Sequence, residues 1–162
     1  MSDVSLRISI ANQNLEVLDG NGHILNSFDI SSAANGSGQM MGSECTPMGK
    51  HVIRAKIGDG QPVNTIYRGR RPTGEIYQPG MCEQQPDRDW ILTRILWLSG
   101  CEQGFNRLGD VDSMRRYIYI HGTPDEVDLT VPGSKGCIRI KNNDLLKLFD
   151  LVSPGTKVEI VH

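Results

Sequence analysis

The sequence lacks several features that would place it at once. No window approaches the roughly 20 consecutive apolar residues of a membrane-spanning helix. The first residues, MSDVSLRISIANQ, have neither the basic start nor the apolar core of a secretory signal. The expectation is a cytoplasmic protein, or a periplasmic one if an export signal precedes this segment. Charge of one sign is also missing: the formal net charge is −2, and the one compact basic run is Arg68-Gly-Arg-Arg71 in a Gly/Pro-rich stretch. That is no nucleic-acid footprint, and the run reads as a solvated loop. The cysteines, at 45, 82, 101 and 137, contain no CxxC pair and fit no zinc spacing. Neither a metal nor another cofactor is called for. In a reducing compartment the thiols stay free, and Cys45, Cys82 and Cys101 read as packing or incidental residues.

What is present is an ordinary globular composition, 38% hydrophobic and 22% charged, in 162 residues. This length suits one domain, residues 1–162, with a core of its own. The 18 glycines and 8 prolines are scattered rather than periodic, which points to many turns and short strands. Alternating segments 4–10 and 14–19, then 23–30 after Gly20-Asn21-Gly22, predict an opening β-meander. Further strands are expected at 50–57, 90–98, 115–121, 137–140 and 156–161, with a short one near 64–68. Residues 31–49 and most of 58–89 read as long loops, and loops of that length in a compact domain are usually functional. Only 143–152 has helical spacing, through Leu145, Leu148, Phe149 and Val152, with Asn142 or Asn143 as its cap. The expected fold is mainly β, a sandwich or barrel with one helix near the C-terminus.

The chemistry concentrates in YIYIHGTPDEVDLTVPGSKGCIRI, residues 117–140. His121 ends one predicted strand and Cys137 begins the next. A thiol is mostly protonated at neutral pH, so a nucleophilic cysteine needs a base or a positive environment. Two neighbouring strand ends can supply an imidazole to a thiol. Gly133 and Gly136 flank Ser134 and Lys135, and such a turn can aim backbone N–H groups at an oxyanion, with Gly136 and Cys137 as donors. Alternation puts Arg139 on the face of Cys137 and Tyr119 on the face of His121. A guanidinium there suits a substrate carboxylate. Taken singly, each residue has an ordinary explanation in packing, turn formation or solvation; the case rests on their convergence.

The elements His121-Gly122-Thr123 and Ser134-Lys135-Gly136-Cys137-Ile138-Arg139 resemble the signature of the L,D-transpeptidase (YkuD-like) catalytic domain, in which HG(T/S) is followed by Ser-His-Gly-Cys. Thr46-Pro47-x-Gly49, the meander and the last strand also resemble that family's layout. The resemblance implies an acyl-enzyme mechanism on peptidoglycan tetrapeptide stems, with Cys137 as nucleophile, His121 as base, a backbone carbonyl in place of a third triad side chain, and carbapenem sensitivity. Substrate contacts are expected from Arg139, Ser134, Lys135, Gly122 and Tyr119. Lys135 departs from the family's histidine at that position. The thioester has two fates, water giving L,D-carboxypeptidation and an amine giving transpeptidation. A cytoplasmic location favours the first, on soluble muropeptides in wall recycling. A non-catalytic peptidoglycan-binding module is the alternative of another class. A zinc hydrolase lacks further ligands, since His23 and His51 are isolated and His162 is terminal.

Overall fold

The computed structural model describes residues 3–162, and its strands close on themselves. The meander forms as β1 (Ser5–Ser9), β2 (Asn14–Leu18) and β3 (Ile24–Ser31). It is followed by β4 (Gly49–Ile57), the hairpin β5 (Thr65–Arg68) and β6 (Arg71–Ile76), and the short helix α1 (Met81–Gln84). Then come β7 (Ile91–Gly100), β8 (Tyr119–Gly122), β9 (Ile138–Ile140), α2 (Asn142–Leu151) and β10 (Lys157–Val161). Strand order is β4-β10-β1-β2-β3-β9-β8-β7, and β7 pairs back onto β4, so these strands form a ring without free edges. The β5–β6 hairpin hangs from the Ile91–Leu92 end of β7. The fold is therefore mainly β, as expected.

The ring closes around Leu6, Ile8, Leu15, Val17, Ile30, Ile53, Leu96, Leu98, Ile120, Ile138, Ile140, Val158 and Ile160, all at most 2% exposed. Helix α2 covers this core with Leu145, Leu148 and Phe149. Each such side chain contributes about 1.5–3 kcal/mol when fully buried. Lys56 Nζ donates to Val152 O (2.9 Å) at the helix's end and lies 4.2 Å above the Phe149 ring, where a cation meets the negative end of the helix dipole.

Three local expectations are corrected. Strand β8 starts at Tyr119 rather than 115 because Asp112 holds the preceding residues in a turn, accepting from Leu108 N (2.7 Å) and Arg115 N (3.0 Å). Strand β6 and helix α1 lie in the segment read as loop. All six residues of β6 are exposed, so it carries no alternation to detect, and Pro72 and Gly74 mask an edge strand. The side chain of Asn142 makes no cap bond to α2; it points elsewhere, as described below. Strand β7 contains an irregularity between Leu92 and Ile95, opposite His121 and Gly122, with Thr93 at φ 76°.

Candidate active site

Strands β8 and β9 are parallel neighbours, with Ile120 beside Ile138 and His121 beside Arg139. Alternation sends Ile120, Ile138 and Ile140 into the core. It leaves Tyr119, His121, Cys137 and Arg139 on the other face, where they line one cavity of about 370 Å³. Ser134 and Lys135 also line it, as do Arg70, Asp89, Arg116 and Tyr117 from other parts of the chain.

His121 is 1% exposed and its Nδ1 lies 2.7 Å from Gly122 O. A carbonyl only accepts, so Nδ1 carries the proton and the Nε2 lone pair is left as a base. Burial holds the imidazole pKa below its ordinary value, against the opposing effects of the Asp89 charge and the Gly122 carbonyl. The ring is therefore neutral at pH 7. Gly122 itself has no room for a side chain, because a Cβ there would overlap Asn142 Oδ1 and Leu92 O.

The Cys137 thiol donates to Tyr117 O (3.3 Å) and accepts from Tyr119 N (3.3 Å). It makes no hydrogen bond to His121. Although part of the residue faces the cavity, burial pushes the thiol up to about 12; Asp89 pushes the same way, while the Tyr119 N–H, Arg139 and Arg116 oppose. The resting pair is thus neutral thiol and neutral imidazole, not a preformed ion pair. Attack requires the sulfur to turn from Tyr117 O toward the ring as its proton leaves. Catalytic contacts of this kind commonly tighten only when substrate is bound.

The turn before Cys137 is held from inside. The Ser134 hydroxyl donates to Cys137 O and accepts from Gly136 N (3.2 Å). Two expectations shift as a result. Ser134 is buried with its hydroxyl engaged in the turn rather than free for substrate. The Gly136 N–H is taken by that hydroxyl, so of the two N–H groups named from the sequence only that of Cys137 is left without this partner. Gly136 sits at φ 131°, and a Cβ there would press on Cys45 O and Ile118 Cδ1 at 3.2 Å. Its carbonyl accepts from Thr46 Oγ1 (2.8 Å), which in turn accepts from Ala33 N (3.0 Å). Thr46 of the Thr-Pro-x-Gly element thereby braces the nucleophile's turn.

Arg139 is half-buried, and its side chain makes no ion pair or hydrogen bond among the described residues, so the guanidinium is available to a ligand. Lys135 is exposed at the rim. Tyr119 is 4% exposed; its hydroxyl accepts from Arg70 Nη1 (3.0 Å) and its ring meets Trp97 edge-on at 6.0 Å.

Four residues were not singled out from the sequence. Arg70, from the basic run read as solvated, packs over Tyr117 (4.5 Å) and Trp97 (5.1 Å) as a wall of the cavity, while Arg68 and Arg71 stay exposed. Arg116 donates to Cys45 O (2.6 Å), Gly38 O and Gln39 O (both 3.2 Å). Asp89 brings the cavity's one carboxylate. Tyr117 supplies the carbonyl that holds the thiol. Only Tyr117, within the motif segment, carried a local signal.

A thiol and a tethered imidazole on adjacent strands of a closed β-ring define a class of cysteine enzyme. The L,D-transpeptidase catalytic domain (YkuD) pattern matches residues 3–160, and the chain belongs to that family. Among curated proteins it is similar to the probable L,D-transpeptidase YcfS of Escherichia coli K12, 42% identical over 43 residues, which is 26% of this chain and 13% of that protein. Among solved structures it is similar to an L,D-transpeptidase from Mycobacterium smegmatis (TM-score 0.57, 18% identity, covering 99% of this chain and 59% of that one). It is also similar to L,D-transpeptidase 3 of Mycobacterium tuberculosis in complex with a faropenem-derived adduct (TM-score 0.59, 15% identity, 99% and 61%). At these identities the structural likeness speaks for the fold alone. The chain spans about three-fifths of the length of those two structures.

Proposed function

We propose that this protein cleaves the L,D peptide bond before the terminal D-Ala of peptidoglycan tetrapeptide stems, through a thioester on Cys137. The observation that carries this reading is Cys137 and His121 facing one cavity, with Nδ1 tied to Gly122 O and an unpartnered Arg139 guanidinium alongside. His121 Nε2 takes the thiol proton as Sγ bonds to the scissile carbonyl carbon, and the oxyanion meets the Cys137 N–H. Collapse expels D-Ala, whose amine takes the proton back from the imidazolium. Water then gives a proton to His121 and attacks the thioester, releasing the tripeptide and restoring the thiol. Arg139 suits the stem's carboxylate through a bidentate pair.

Hydrolysis is the fate we favour. A cavity of about 370 Å³ is at the small end for a ligand site, and we take it as room for one stem rather than two. Such trimming acts on soluble muropeptides, and the reading places the protein in the cytoplasm. Transfer to an amine is the second reading. It is favoured by an adjoining cavity of about 270 Å³ that shares Arg116, Tyr117, Ile118 and Lys135 with the first and offers room for an acceptor. The test is a soluble tetrapeptide muropeptide, with products read by mass spectrometry and Cys137→Ala as control. Loss of one D-Ala only with the intact thiol is expected. Dimers, or exchange with added D-Met, would replace hydrolysis by transfer. No product at all would leave a binding module.

A further inference from the structure

The polar cluster beneath His121 is unexplained by catalysis as described so far. Asn142 is 3% exposed, yet every atom of its amide is engaged. Its Oδ1 accepts from Thr93 Oγ1 (2.6 Å), and its Nδ2 donates to Thr123 O (2.9 Å) and Asn64 Oδ1 (3.1 Å), with Asp125 Oδ1 at 3.3 Å. Thr93 occupies a left-handed conformation, unusual for a β-branched residue, inside the irregularity where β7 faces the His121–Gly122 peptide. The arrangement is tied down on all sides: Asn64 N donates to Thr93 Oγ1 (3.1 Å), and Tyr67 Oη and Arg94 Nη1 both donate to Thr93 O (3.0 and 2.7 Å). Strain that persists because its surroundings over-determine it tends to accompany function.

We infer that Asn142 is a positioning residue that fixes the tautomer and orientation of His121 through the Gly122–Thr123 backbone. Three observations converge. The amide bonds Thr123 O directly. It sits so close to Gly122 that a Cβ there would meet Oδ1 at 2.2 Å. The Gly122 carbonyl, in the peptide that joins these two contacts, is what accepts the His121 Nδ1–H. With the amide in place, that carbonyl has one available direction, and the ring keeps Nε2 facing the cavity. Without it, the Gly122–Thr123 peptide is held on one side only, by the pairing of Gly122 with Leu92 and Ile140 at the end of β8; its Thr123 side loosens, the Nδ1–H bond weakens and the second tautomer becomes accessible. This inference rests on the reading of His121 as base, and it also makes a statement about the ring that does not depend on any substrate.

Two variants test it. Asn142→Asp keeps the shape but removes both donors; Asn142→Ser removes the amide and leaves space. The first readout is the long-range ¹H–¹⁵N spectrum of the His121 imidazole. Wild type should show the Nδ1–H tautomer alone, and both variants a mixture. The second is single-turnover acylation of Cys137 by faropenem, expected to fall about 10- to 100-fold in the variants, the usual cost of a misplaced catalytic group. Iodoacetamide alkylation at high pH, which needs the thiolate but not the base, should stay within about twofold and so separates positioning from collapse of the site. A folded variant with wild-type tautomer and acylation rate overturns the inference, as does wild type lacking the Nδ1–H tautomer. Absence of acylation in wild type would instead count against the proposed function, while the imidazole spectrum still decides the role of Asn142.

Discussion

At the residue scale the puzzle is Asp89. Its carboxylate lines the catalytic cavity and works against the chemistry proposed there, because a negative charge disfavours the thiolate. It raises the pKa of both Cys137 and His121. Removing it as Asp89→Asn should shift the pH dependence of Cys137 alkylation by iodoacetamide to lower pH. The ascending limb of acylation, where the imidazole becomes neutral, should move the same way. Asp89 is exposed, so water screens it, and the effect should stay within about one pH unit, or tenfold in rate. An unchanged or upward-shifted profile would mean that its charge does not reach the pair. Arg139→Met should raise KM for a substrate with a free terminal carboxylate more than it lowers kcat, since Arg139 has no protein partner to release.

At the scale of elements, the long loop between β3 and β4 is part of the site rather than a tether. The bridge Ala33–Ser134 lays it along the nucleophile's turn, the bridge Ser37–Thr46 folds it on itself, and Arg116 staples it by donating to three of its carbonyls. Charged hydrogen bonds of this kind contribute about 1.5–3 kcal/mol each and add imperfectly, so Arg116→Met should destabilise the protein by ~2–4 kcal/mol in urea unfolding. It should also raise the Cys137 thiol further, because Arg116 is one of the cations that oppose the rise. This support was not legible in the sequence. Strands with one buried face, such as β1, β2 and β10, announced themselves by alternation, and the hairpin turn by Gly20-Asn21-Gly22. His121 and Cys137 were legible because both lie in one short segment. Arg70 and Asp89 reach the site from distant places in the chain, brought there only by the fold, while Arg116 and Asn142 flank that segment and carry no local sign of the carbonyls they hold. From the sequence, Ser134 is expected to contact substrate and Thr46 stands only as part of the Thr-Pro-x-Gly element; that both hydroxyls brace the turn was not legible, since nothing local distinguishes a turn that supports itself from one that supports a nucleophile.

At the scale of the whole molecule, two buried histidines and one raised thiol set the pH range of the fold. His51 is 1% exposed between Gly49 O (3.0 Å to Nδ1) and Ser113 Oγ (2.8 Å to Nε2). It joins β4 to the segment that carries Arg116. Burial lowers its pKa, as it does that of His121. A group whose folded pKa lies below its unfolded value takes up its proton in the unfolded chain first. The unfolded state then binds more protons, and stability rises with pH. The contribution of both histidines is complete above the unfolded histidine value of about 6.5 and is lost progressively as pH falls below it, before the carboxylates titrate. The thiol has the opposite sign. Cys137 is raised to about 12, so above the unfolded value of about 8.5 the unfolded chain releases its proton first and stability falls. The melting temperature should therefore be highest between about pH 7 and 8.5 and decline on both sides. Cys137→Ser should flatten the alkaline limb alone. His51→Gln should lower the plateau, by breaking the link to Ser113, while flattening part of the acid limb. An acid limb that begins only near pH 4 in wild type would mean that neither histidine is held neutral by the fold.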